Sequence, residues 1–222
     1  MKKQFNKCIL ILARGGSKSI PKKNLYPLNG IPLIQYTINT SIKSDINKIF
    51  VSTDDSDIKQ FCQNFDVNVV DRPKEFATDF TTDFLTIHNF LQNHNNDFDY
   101  IVHLRPTFPK ITPEIINFAS ELFEEKFNDF DSLRSVIKSS ESPFKSWLIE
   151  ENNMVPVIKG NKMHSSPRQL VPQTYFQNAC IDIIKTETIL VKNDIIGSKC
   201  LPFIMPDGFD FDIDTYDDLR RF

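Results

Sequence analysis

Apolar residues recur in two rhythms through the first 140 positions of this chain. Short, nearly unbroken apolar runs at 8–13, 48–53, 68–70, 100–104 and 132–138 predict strands. Between them the spacing stretches to that of a helix face. Leu33, Ile34, Ile38 and Ile42 predict one helix, 57–65 a second, and 83–93 a third with Phe84, Ile87 and Leu91 on one side. Thr112-Pro113 then opens the clearest helix, with threonine as cap, proline at its first position, and a stripe of Ile115, Ile116, Ala119, Leu122 and Phe123. Alternating strands and helices imply a mostly parallel sheet covered on both faces, with ligands at the carboxyl ends of its strands. From Ser139 the rhythm breaks. Runs at 147–150 and 154–158 flank Glu151-Asn152-Asn153 as a hairpin, and 159–173 is polar and irregular. Strand, short helix and strand return at 179–185, 186–192 and 200–205. The expected organisation is one domain, 1–222, with an excursion at about 140–177.

A chain of 222 residues accommodates one large α/β domain and a small lobe. Its 20 phenylalanines read as core filler, and a net charge of −3 argues against general nucleic-acid binding. Cys8, Cys62, Cys180 and Cys200 form no C-x-x-C pair, and the histidines show no metal-ligand spacing. Cys8 and Cys180 lie in apolar runs, as free thiols of a reducing compartment do. The run at 8–13 is too short for a signal peptide, and no segment has the length of a membrane span. A cytoplasmic location without a membrane partner is expected.

Candidate chemistry begins where the first strand stops. Ala13-Arg14-Gly15-Gly16-Ser17-Lys18, running on to Lys22-Lys23-Asn24, joins close-approach backbone to dense positive charge. Such a loop suits a polyphosphate, and it equally describes a turn with solvated lysines. Neither the Walker A spacing nor G-x-G-x-x-G is present. Near the C-terminus Asp212 and Asp214 are separated by one residue, so on an extended segment both carboxylates point the same way. They can hold Mg²⁺ beside phosphates, or Asp214 can cap the last helix.

Five blocks, in order, resemble the CMP-sugar synthetases, the acylneuraminate cytidylyltransferase family. They are A-R-G-G-S-K…P-K-K-N-L…N-G-I-P-L-I, then Val51-Ser52-Thr53-Asp54-Asp55, Arg72-Pro73 leading to Thr78-Asp79, Leu104-Arg105-Pro106-Thr107-Phe108-Pro109, and Asp212-Ile213-Asp214 with Asp217-Asp218-Leu219. The resemblance implies a single Rossmann-like nucleotidyltransferase domain. It implies CTP and an acidic, nonulosonic-type sugar as substrates, with CMP passing to the sugar's anomeric hydroxyl. Mg²⁺ would sit on Asp212 and Asp214. Arg14 and Lys23 match triphosphate-binding, catalytic positions, with Lys18 and Lys22 close by. Ala13, Gly15, Ser17, Asn24 and Asp79 fall in matching blocks, and Thr81 and Thr82 stand where serines often read the cytidine.

On the acceptor side, Lys145, Arg168 and Gln169 correspond to the basic segments of sialic-acid-activating members, and Asn178 also matches. A sugar carboxylate calls for such cations. Arg105, also expected to bind the acceptor, departs from the usual glutamine, Ala179-Cys180-Ile181-Asp182 from Gly-Ala-Ile-Tyr, and Phe176 from a basic residue. In the family the excursion packs against a second subunit, which implies a homodimer. Exposed Phe144, Trp147, Leu170, Tyr175 and Phe176 would invite the same association. The rival readings are a sugar-1-phosphate or phosphonate nucleotidyltransferase, and an inactive nucleotide-binding homologue.

Overall fold

The computed structural model describes residues 3–94, 98–206, 208–209 and 211–222. The first strand, β1 (Lys7–Leu12), leads to a small hairpin, β2 (Pro27–Leu28) and β3 (Ile31–Pro32). Then follow α1 (Leu33–Ile42), β4 (Ile49–Thr53), α2 (Ser56–Cys62), β5 (Asn68–Asp71), α3 (Asp83–Asn93), β6 (Tyr100–Leu104), α4 (Pro113–Glu125) and β7 (Ser132–Lys138). The hairpin β8 (Trp147–Glu150) and β9 (Asn153–Pro156) precedes β10 (Tyr175–Lys185), α5 (Thr186–Leu190), β11 (Cys200–Ile204) and α6 (Tyr216–Arg221).

Seven strands form one sheet in the order β11-β7-β10-β6-β1-β4-β5. Every neighbouring pair is parallel except those made by β10, which runs antiparallel to both β6 and β7. Alternation along β1 divides the core. Ile9 and Ile11 pack with α1, α2 and α4 on one face, while Cys8 and Leu10 pack with α3 and α5 on the other. Two covered faces explain why the strands read as continuous apolar runs. On α4, the Thr112 hydroxyl accepts from Ile115 N–H, and Ile116, Ala119 and Phe123 are fully buried. Each large side chain so buried contributes roughly 1.5–3 kcal/mol. Ile42 departs from its expected place, because it sits in the last turn of α1, where 41% of it remains exposed.

Three details differ from the sequence pattern. The hairpin turns on two residues, not three: Glu151 and Asn152 both take positive φ, the conformation that matches strand twist. Strand β10 starts at Tyr175 and pairs with Lys138, so the excursion closes at 174 on a β-ladder. Its register shifts between Gln177 and Asp182, around Ala179 at φ 57°. Among the described residues, no helix is long and apolar enough to cross a membrane.

A third, smaller core positions the chemistry. Ile20 from the loop after β1, Leu28, Leu33 and Ile213 are buried together, with Tyr26, Tyr36, Phe211, Leu219 and Phe222 packed on them. Ile213 N–H also donates to the Thr107 carbonyl. The basic loop and the C-terminal aspartates, almost 200 positions apart in sequence, are thereby fastened side by side.

Candidate active site

A cavity of about 390 Å³ opens at the carboxyl ends of β1 and β6. Arg14, Ser17, Lys18, Lys23 and Asn24 line it from the first loop, Asp79 and Thr81 from the segment before α3, Arg105 from the end of β6, and Asp214 from the segment before α6. Nine of the residues expected from the sequence are therefore brought together. The loop's shape has local causes. Gly15 N–H donates to Asp54 Oδ1 at 2.9 Å, and a Cβ on Gly15 would come within 2.6 Å of the Asp55 carboxylate, so only glycine fits there. That N–H is consequently spent on Asp54. Gly16 lines the cavity with open space around it. Asn24 is buried and latches the loop by donating to the Arg14 carbonyl at 2.8 Å.

The loop cations face carboxylates. Arg14 Nη1 lies 2.7 Å from Asp79 Oδ1, and Lys18 Nζ lies 2.6 Å from Asp79 Oδ2. Lys18 and then Arg14 hold the Asp79 carboxyl below the usual carboxylate range. Lys23 Nζ reaches Asp214 Oδ1 at 2.8 Å and the Ile213 carbonyl at 3.1 Å. Lys22, at φ 52°, turns outward to Asp57.

Asp212 lies one step behind this wall. Its Oδ1 is buried without a hydrogen-bond partner. Burial pushes its carboxyl up, a Thr107 hydrogen bond opposes this, and the Asp214 charge adds to the rise. Residues 211–214 belong to no strand, so Asp212 and Asp214 are held by Ile213 and not by sheet pairing. Asp214 does not cap the last helix. Thr215 does, in a reciprocal box with Asp218.

Other expected residues stand apart from the cavity. Ala13 is buried at the end of β1, and Thr82 is the N-cap of α3, accepting from Leu85 N–H. Lys145, Arg168 and Gln169 sit in 3₁₀ turns of the excursion and do not line the cavity. Asn178 is buried, with Nδ2 donating to the Phe209 carbonyl and Oδ1 unpartnered. Arg105 lines the cavity, yet its guanidinium is committed. It donates to the Ala179 carbonyl at 3.0 Å, to Asp83 at 2.6 Å and to Asp182 at 3.0 Å. Arg134 Nε meets the other Asp182 oxygen at 3.0 Å. Asp182, 1% exposed, is thus clamped between two guanidiniums. The two departures from the family pattern at positions 105 and 182 are partners.

Sequence reading missed Arg72 and Asp83 as lining residues. Arg72 is buried and donates to Ser52 Oγ at 3.3 Å and to the Ser52 carbonyl at 2.8 Å. Burial lowers its pKa to about 10. A charge directly after a strand, before Pro73, was the available signal.

A cation-lined cavity at strand ends of a doubly covered, mostly parallel sheet is the setting in which α/β proteins bind nucleotides. Its class is that of the nucleotidyltransferases, whose fold recurs in solved structures. One, CMP:2-keto-3-deoxy-manno-octonic acid synthetase complexed with CTP, superposes with a TM-score of 0.70 at 14% identity, covering 97% of this chain and 96% of that one. Another, 4-diphosphocytidyl-2C-methyl-D-erythritol synthase from Anaerococcus prevotii, gives 0.66 at 12% identity over 98% and 94%. The family model described as cytidylyltransferase matches residues 8–183, and the chain belongs to that family. It is 30% identical over 213 residues to an N-acylneuraminate cytidylyltransferase of Streptococcus agalactiae, covering 94% of this chain and 50% of that protein. It is 28% identical over 220 residues to a pseudaminic acid cytidylyltransferase of Campylobacter jejuni, covering 97% and 93%. The chain spans about half the length of the streptococcal relatives.

Proposed function

We propose that this chain transfers CMP from CTP to the anomeric hydroxyl of an acidic, nonulosonic-type sugar. The observation that carries the reading is the convergence of Arg14, Lys18, Lys23 and Asp214 on one strand-end cavity, in a chain of the cytidylyltransferase family. The sugar oxygen forms a bond to the α-phosphorus while the bond to the β-phosphate oxygen breaks. Pyrophosphate leaves with the electron pair, and the hydroxyl proton passes to solvent or to a basic oxygen. Negative charge grows on the α-phosphoryl oxygens and on the leaving group, so fixed cations such as Arg14 and Lys23 stabilise that step. Asn24 holds the loop that carries Arg14, and Ala13, Gly15 and Ser17 shape its approach to the nucleotide. Thr81, with Thr82 beside it, is assigned to the cytidine.

Asp212 and Asp214 fit a hard divalent cation. One offers a buried oxygen with no protein partner, and the other an exposed carboxylate balanced by Lys23. Bound there, Mg²⁺ would neutralise phosphate charge and lower the pKa of an oxygen it touches. Lys145, Arg168, Gln169 and Asn178 are proposed for the acceptor, served across a homodimer. The excursion exposes Leu148, Ile149, Met154 and Leu170, and the start of β10 exposes Phe176, a surface suited to a second copy. Light scattering at micromolar concentration should give a dimer mass. A monomer with full activity would refute this arrangement.

The activity is tested by pyrophosphate release with each nucleoside triphosphate against a panel of acidic sugars. CTP should be preferred over UTP, ATP and GTP by at least about tenfold in kcat/KM, because each missed base contact costs on the order of 1–3 kcal/mol. Equal rates with all four would overturn the assignment.

A further inference from the structure

The first loop concentrates cations that would repel one another if left bare, yet the resting structure leaves none of its four so. Asp79 pairs with Arg14 and Lys18, Asp214 with Lys23, and Asp57 with Lys22. Of these carboxylates Asp79 alone bridges two cations, one on each oxygen, and all three groups line the cavity. It reaches them across 65 and 61 positions of sequence, from a different wall. A carboxylate with both oxygens on two cations has the bite and sign of a phosphoryl group.

We propose that Asp79 is a stand-in for substrate phosphate, and that nucleotide binding is an exchange in which the polyphosphate takes Arg14 and Lys18 while Asp79 is released. The inference rests on the assignment of this cavity to a triphosphate. Held this way, Arg14 and Lys18 are positioned for a polyanion, and singly charged anions gain little because they bring no more charge than they displace. The arrangement lowers affinity for polyphosphate, since every binding event breaks two ion pairs and leaves a carboxylate beside an anion.

The sign of the effect makes the test specific. Dissociation constants for inorganic tripolyphosphate, without metal or acceptor, are measured by calorimetry for the wild type, Asp79→Asn and Asp57→Asn. Asp79→Asn should bind about tenfold more tightly, and the gain should shrink as salt is raised. Asp57→Asn removes the same charge from the loop's outer side, where Lys22 lies outside the cavity, and should stay within about twofold of the wild type. Asp79→Ala, with its thermal melt, guards against an effect of the introduced amide or of misfolding. Unchanged or weaker binding by both Asp79 variants, an equal gain in Asp57→Asn, or no binding by any of the proteins would overturn the proposal. Tripolyphosphate carries neither base nor sugar. CTP titrated in parallel therefore separates the two questions: CTP binding no tighter than tripolyphosphate would count against the cytidylyltransferase assignment and leave the exchange standing.

Discussion

Asp212→Ala should lower pyrophosphate release at millimolar Mg²⁺ by at least about 10³-fold, a barrier increase of roughly 4 kcal/mol. The carboxylate holds a buried oxygen without a partner, next to Asp214 and Lys23, so its removal costs chemistry and not packing. The melting temperature should change little, because Ile213 and not Asp212 fastens this segment to the small third core. Asp218→Ala separates the two meanings an aspartate here can have. It dismantles the capping box with Thr215 and should cost about 1 kcal/mol of stability while turnover persists. Near-normal rates in Asp212→Ala would leave these carboxylates without a catalytic part.

The second large effect concerns stability. Asp182→Ala should destabilise the fold by about 3 kcal/mol, the lower end for a broken buried ion pair. The lower end applies because the Arg105 and Arg134 side chains keep 19% and 18% of their surface exposed. For a chain of this size that lowers the melting temperature by roughly 6–12 °C. Arg134→Gln in the same background should restore part of the loss, because Arg134 loses the carboxylate it meets while Arg105 keeps Asp83. A melt within about 2 °C of the wild type would show that the cluster contributes nothing. Arg105 ties the end of β6, the start of α3 and the irregular turn of β10 together, and its charge is compensated by Asp83 and Asp182.

Much of the architecture was legible because local pattern and burial agree. The apolar runs of β6 and β7 and the helical spacings of α3 and α4 mark those elements where they form. What escaped depends on distant partners. Tyr175, Phe176 and Gln177 are exposed, so the first part of β10 reads as loop until Lys138 pairs with it. The reversed direction of that strand leaves no local mark. At the site, the loop cations and the paired aspartates were visible through charge and spacing. Asp83 and Asp182 were not, since an acid at a helix start or inside an apolar run gains meaning only from Arg105, which lies 22 residues from the one and 77 from the other. The Thr215 cap could have been found, because Thr215-x-x-Asp218 carries the capping-box spacing.

The central place of β10 also bears on how the chain is made. During synthesis β1, β4, β5 and β6 can assemble as soon as residue 104 emerges, with α1 to α3 connecting them. The strand that must cover the free edge of β6 begins only at Tyr175, about seventy residues later. At about 5–20 residues per second, the nascent sheet spends several seconds with a bare edge. The hairpin excursion, translated within that interval, lengthens the wait. A fold in which β7, β10 and β11 are built last thus carries its greatest exposure to misassembly before its final sheet partners exist.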